Sequence, residues 1–227
     1  MENSSKKAMI MERSSFLKLL GASVALSTLT LAGCKDDDNN VSVQGVDLGS
    51  GDNGILNYAY ALEQLEAAFY VQVITTKYSG MSTAEQQILT EIRDHELIHR
   101  DFLKAALGSA AIPGLQVDFS SINFGDRASV LGTAKAFEDL GVAAYNGAGK
   151  LLVSPDLLTI AGKIVSVEAR HASVIRDLLN PFSADFSGDD VVTPANGLDG
   201  AKTPDEVLMT AKTYIKNTIS TANLPKN

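Results

Sequence analysis

The chain has 227 residues, 45% apolar and 20% charged, with a formal net charge of −8 at pH 7. That length supports one well-buried domain with short appendages, and the acidic balance leaves no basic face for a phosphate backbone, which argues against nucleic acid as a partner. Its single cysteine, Cys34, excludes an intrachain disulfide, a four-cysteine zinc site and an iron–sulfur cluster held by this chain alone.

Residues 1–33 carry Lys6, Lys7, Arg13 and Lys18 against Glu2 and Glu12, so the acidity belongs to the rest of the chain. Residues 19–31 are an apolar run too short to span a bilayer as a helix but suited to the core of a signal peptide. Leu31-Ala-Gly-Cys34 at its end resembles the lipobox of a bacterial lipoprotein signal. The resemblance implies cleavage of residues 1–33, lipid on the Cys34 sulfur, and a mature chain anchored in the outer membrane of the bacterial cell envelope, facing the periplasm or the outside. Lys35-Asp-Asp-Asp38 resembles the acidic export signal that carries some lipoproteins to the cell surface. Residues 34–53, rich in Asp, Asn, Gly and Ser, read as a flexible acidic linker.

From residue 55 the periodicity turns helical. A first helix over residues 55–77 carries an inward stripe of Leu56, Ala59, Glu63, Glu66, Tyr70 and Val73. Ser82 with Glu85 makes a capping box that opens a second helix, ending at Leu107, with the stripe Leu89, Ile92, Glu96, His99, Leu103 and Ala106. Residues 108–126, with Pro113 and no helical period, read as a long crossing connection. A third helix over residues 127–148 presents Leu131, Ala134, Glu138, Gly141, Tyr145 and Ala148. Ser154-Pro155 caps a fourth, to residue 179, that presents Leu157, Ala161, Ile164, Glu168, His171, Ile175 and Leu178. Within residues 181–227, a loop precedes an accessory helix capped by Thr203-Pro-Asp-Glu206 and predicted to reach Ser220, where it serves packing. Each of the four stripes is apolar at its ends and polar in the middle, which places the polar groups between helices rather than in solvent.

Two of the three histidines follow a glutamate by three residues, in Glu96-Leu-Ile-His99 and Glu168-Ala-Arg-His171, and the chain has only ten glutamates. That spacing sets carboxylate and imidazole side by side on one helical face, where both can reach a single metal ion. His95 sits one residue off the stripe, at the surface or behind the metal-facing residues. There is also an internal repeat: Glu63 and Tyr70 are seven apart, as are Glu138 and Tyr145, and each pair precedes a Glu-x-x-His helix. Short loop, long crossover and short loop is the connectivity of an all-α ferritin-like four-helix bundle.

Leu62-Glu-Gln-Leu-Glu-Ala-Ala-Phe-Tyr70, His99-Arg-Asp-Phe-Leu-Lys-Ala-Ala-Leu-Gly108, Ala136-Phe-Glu-Asp-Leu-Gly141 and Val167-Glu-Ala-Arg-His-Ala172 carry a resemblance to the ferritin-like superfamily over residues 54–180. The superfamily includes bacterioferritin and rubrerythrin, and the wording is similar to the bacterial ferritin-like domain found in desiccation-related proteins. The resemblance implies two divalent metal ions per chain, iron or manganese. Glu96 and Glu168 would bridge or chelate, His99 and His171 would give one nitrogen per metal, and Glu138 would be a terminal carboxylate. On the first helix the choice lies between Glu63 and Glu66. The repeat aligns Glu63 with Glu138 and Glu66 with Gly141, so Glu63 is the expected ligand and Glu66 an extra ligand or a base behind it. Tyr70 and Tyr145 would hydrogen-bond ligand carboxylates or quench an oxidising centre, or else be plain core aromatics.

The implied chemistry is that of a di-metal oxidoreductase: ferrous oxidation, peroxide or oxygen removal, or, with manganese, catalase-like dismutation. A stress-related structural lipoprotein with a vestigial site is the alternative. The expected partners are the membrane through Cys34, a second copy of the chain in a homodimer, and a separate electron donor, since the chain lacks the cysteine-rich domain of rubrerythrin.

Overall fold

A computed structural model describes residues 45–226, so the signal segment, Cys34 and most of the linker lie outside the described residues. Four long helices dominate: α1 Gly51–Thr76, α2 Thr83–Leu107, α3 Arg127–Gly149 and α4 Pro155–Leu179. Their starts follow from local chemistry. Ser82 accepts from the Glu85 amide while the Glu85 carboxylate accepts from the Ser82 amide, both at 3.1 Å, satisfying two otherwise unpaired donors. The Asp126 carboxylate caps α3 by accepting from the Ser129 amide, and Ser154 caps α4 ahead of Pro155.

Short turns make antiparallel hairpins of α1 with α2 and of α3 with α4, and residues 108–126 cross from one hairpin to the other. α2 and α4 each bury a single stripe, whereas α1 and α3 are buried on most sides. The cause is extra cover: Phe119 and Phe124 of the crossover lie against Phe69 of α1, with ring centroids 6.0 and 5.8 Å away, and the C-terminal chain runs over α3. On α2 the stripe ends at buried Leu107 rather than at Ala106, which is exposed, because 3.6 residues per turn drifts from a heptad pattern over the roughly five turns that follow Leu89.

Two boundaries depart from the sequence expectation. Residues 46–53 belong to the domain rather than to a linker. Strand β1, Val46–Asp47, pairs in parallel with a strand near the C-terminus, Leu48 is fully buried, and α1 begins four residues early. The polar residues that gave this stretch its linker composition serve as caps and clamps, since the Asp52 carboxylate accepts from the amides of Val153 and Ser154 at 2.8 and 3.0 Å.

The accessory helix is also shorter than expected. After the small hairpin of β2, Val192–Thr193, and β3, Leu198–Asp199, helix α5 covers only Pro204–Ala211. Beyond it the crossover and β1 offer unpaired backbone groups, and the chain pairs with those instead of continuing its own helix. The Lys216 amide donates to Gln116 O at 2.8 Å, Ile215 bridges Val117, and β4, Ile219–Ser220, takes the open edge of β1.

The C-terminal segment is seated by one close approach. The Lys202 amide donates to Ala143 O at 2.9 Å, and a Cβ at Gly147 would lie 1.8 Å from Lys202 O, so only glycine fits there. α5 then buries Val207, Leu208 and Ala211. Among the described residues no helix is long and apolar enough to cross a membrane.

Candidate metal centre

The polar middles of the four stripes meet at the bundle axis. Glu63, Glu96, Glu138 and Glu168 are all 0% exposed and His171 is 4% exposed. Their donor atoms fall into two overlapping groups, Glu63, Glu96, His99 and Glu168 in one and Glu96, Glu138, Glu168 and His171 in the other, each within 4.8 Å. Glu96 and Glu168 belong to both.

The two groups are near copies. His99 Nδ1 lies 2.9 Å from Glu168, 3.6 Å from Glu63 and 3.7 Å from Glu96. His171 Nδ1 lies 2.8 Å from Glu96, 3.5 Å from Glu138 and 3.6 Å from Glu168. Despite these short approaches, none of the facing atoms is aligned in a hydrogen bond: Nδ1 of both histidines, both oxygens of Glu96 and Glu168, and Oε2 of Glu63 and Glu138 all lack a partner. Buried polar atoms are almost always paired, so eight orphans pointing at one another call for a shared partner. Ligand bonds of roughly 2.1 Å put donors at right angles about 3 Å apart, close to the spacing seen here.

The remaining carboxylate oxygens are tied back. The Tyr70 hydroxyl of α1 donates to Glu138 Oε1 of α3, and the Tyr145 hydroxyl of α3 donates to Glu63 Oε1 of α1, both at 2.5 Å. Burial holds both phenols well above their ordinary range, so they stay protonated and donate.

Burial and mutual contact pull the cluster's carboxylates and imidazoles in different directions. Burial pushes Glu63 and Glu66 well above the carboxylate range and Glu138 up to about 8, against the pull of His171 on Glu138. Burial would raise Glu96 too, but its contacts with His171 and His99 hold it down at about 2. Burial opposes charge on His99 and His171, yet the facing carboxylates outweigh it and push each up to about 12. Protons thus stand where cations would neutralise the same carboxylates.

A family model described as the ferritin-like domain matches residues 51–181. The chain belongs to the ferritin-like domain family. No match is found among curated proteins. The ferritin-like bundle here is the all-α architecture with one long crossover, and its buried carboxylate and histidine groups are suited to metal ions. The donors the site offers are oxygen and nitrogen, without thiolate.

Of the two candidates on α1, Glu63 lies in the convergent group and Glu66 does not. Glu66 is buried opposite Gly141, its Oε1 3.1 Å from where a Cβ would sit, so the absent side chain at the repeat-related position makes room for this extra carboxyl. His95 is exposed, yet its Nδ1 lies 2.9 Å from Nε2 of His171.

Sequence reasoning missed two buried polar residues that frame the site. Asn57 donates to Leu48 O and Ala110 O at 3.0 and 2.9 Å and accepts from the Ile112 amide at 2.9 Å, pinning the crossover to α1. Arg176 bonds Asp139 and Asp190, joining α4 to α3 and to the following loop. Neither carries a local motif; the signal available was a polar residue on an otherwise apolar face.

Proposed function

We propose that the domain holds two divalent ions, iron or manganese, and turns them over against dioxygen or peroxide as a di-metal oxidoreductase. The observation that carries this reading is the set of eight buried, unpartnered donor atoms converging in two groups that share Glu96 and Glu168. One ion would be held by Glu63, Glu96, His99 and Glu168, the other by Glu96, Glu138, Glu168 and His171.

A bound redox-active pair supplies two electrons to an oxidant; the rest is the work of the chain. Glu96 and Glu168 balance charge between the two positions. His99 and His171 give neutral nitrogen donors once their protons have left. Tyr145 and Tyr70 fix the terminal carboxylates Glu63 and Glu138 in orientation. Glu66, raised above the ordinary carboxylate range in the metal-free chain by burial and then by the neighbouring glutamates, stands beside the centre without occupying a ligand position.

The lipobox-like Leu31-Ala-Gly-Cys34 supports an anchor on Cys34 that keeps this chemistry at the cell envelope, in the outer membrane. Electrons for repeated turnover would come from a separate protein, because the lone cysteine leaves the chain without a cluster of its own.

The test is single turnover. The chain, loaded anaerobically with ferrous ion, is mixed with peroxide or with dioxygen while absorbance and oxidant are followed. Oxidation of two irons per peroxide consumed, abolished in Glu96→Ala, is expected. Iron that stays ferrous in the loaded chain under both oxidants, together with a manganese(II)-loaded chain that consumes no peroxide, would leave a structural bundle instead.

A further inference from the structure

The internal repeat makes the two metal-facing groups near copies, so any departure from the copy marks something the second position has and the first lacks. The ligands match, the tyrosine clamps match, and the histidine-to-carboxylate distances agree to within 0.1 Å, at 2.9, 3.6 and 3.7 Å for His99 and 2.8, 3.5 and 3.6 Å for His171. Besides Glu66, which faces Gly141 at the repeat-related position and joins neither group of converging donors, one further departure lies just outside. Four residues before His99 on α2 stands His95; four residues before His171 on α4 stands Val167. His95 reaches across to the other hairpin, its Nδ1 2.9 Å from His171 Nε2, with the two rings 9° from parallel and their centroids 5.2 Å apart. Val167, the counterpart, has no polar side-chain atom to offer His99.

We propose that His95 makes the two metal positions unequal, strengthening binding at Glu96, Glu138, Glu168 and His171 over binding at Glu63, Glu96, His99 and Glu168. The inference rests on the dinuclear reading above. His171 turns Nδ1 to the cluster, so as a neutral ligand it carries its hydrogen on Nε2. Donation from that Nε2–H to His95 Nδ1 fixes the tautomer, sets the plane of the ring and raises the electron density on the donor nitrogen. Partners of this kind are worth roughly 10- to 100-fold in metal affinity. His95 is a positioning residue, acting through His171. It stands in a surface groove of about 560 Å³ beside Glu91 and Arg170, so replacing it opens no core.

Cobalt(II) is the probe, titrated into the metal-free full chain while its visible absorption and the heat of binding are followed. The wild-type chain is expected to fill in two distinguishable steps. His95→Val, which installs the residue found at the counterpart position, weakens one step about tenfold or more and leaves the other in place. His95→Asn, whose Oδ1 takes the place of Nδ1, restores it. Melting of the metal-free variants unchanged from wild type separates this effect from a folding defect. A His95→Val isotherm that superimposes on wild type, or one with both steps weakened alike, overturns the inference while leaving the dinuclear site standing. A wild-type chain that takes up no cobalt overturns the dinuclear reading and this inference with it.

Discussion

The Tyr145 hydroxyl on α3 donates to Glu63 on α1 at 2.5 Å, and Tyr70 on α1 returns the same bond to Glu138 on α3, so the two hairpins hold each other's terminal carboxylates. Replacing either tyrosine by phenylalanine keeps the ring and strips a donor from a fully buried carboxyl oxygen. Each change should cost about 1–3 kcal/mol, lowering the melting point of the metal-free chain by about 2–4 °C per kcal/mol in a domain of this size. The two losses should be alike because the environments are. Melting unchanged in both variants would mean that the phenols only fill space.

Metal uptake should be coupled to proton release. His99 and His171, pushed up to about 12 by the carboxylates around them, keep their protons through neutral pH in the metal-free chain. Each ion must displace one, so apparent affinity for manganese(II) should rise about tenfold per pH unit for each proton released. Calorimetry in buffers of differing ionisation heat counts those protons, and affinity independent of pH between about 6 and 8 would contradict the assignment.

The same groups set the stability of the metal-free chain. Glu138, raised to about 8, contributes stability that is complete below its unfolded value and lost as pH climbs towards 8. The two histidines act in the same direction, contributing fully below their unfolded value and fading as pH rises towards 12. Glu96, held at about 2, contributes in the opposite sense and is lost only in strong acid. Urea midpoints of the metal-free chain should therefore fall between about pH 5 and 8, less steeply in Glu138→Gln, and bound metal should flatten the fall.

Arg176 is 2% exposed and divides its guanidinium between Asp139, whose side chain is 20% exposed, and Asp190, whose side chain is 58% exposed. Removing Asp139 leaves a buried cation leaning on a partner that sits largely in water, and should cost about 3 kcal/mol. Asp190→Ala should cost no more than about 1 kcal/mol, because an exposed carboxylate is screened by solvent. Urea unfolding of the two variants decides it; equal losses would contradict this ranking.

How legible the domain was in the sequence follows from where each signal resides. The four helices and their caps are local, written in Ser82 with Glu85, in Ser154-Pro155 and in the 3.6-residue period, and the structure has them within a few residues. The residues that converge at the bundle axis were legible because Glu-x-x-His is a contact between neighbours on one helix. The repeat supplied the rest, aligning Glu63 with Glu138 and leaving Glu66 opposite Gly141.

What escaped is long-range. β1 is a two-residue strand whose only reason is β4, more than 170 residues later, and its Asp and Gly neighbours disguised it as linker. α5 stops at Ala211 because the crossover and β1 offer backbone partners, a fact no local propensity encodes. The bond from His95 to His171 crosses between hairpins, so its position one residue off the stripe hinted only at the edge of the site.

The measurement that bears most directly on the central claim is metal content by elemental mass spectrometry. The chain, reconstituted separately with iron(II) and manganese(II) and then desalted, is compared with the Glu168→Ala/His171→Ala double variant. Glu168 serves both groups and His171 one of them, so the account predicts about two ions per chain in the wild type and substantial loss in the variant. Negligible metal in the wild type under both conditions, or an undiminished content in the variant, would contradict it.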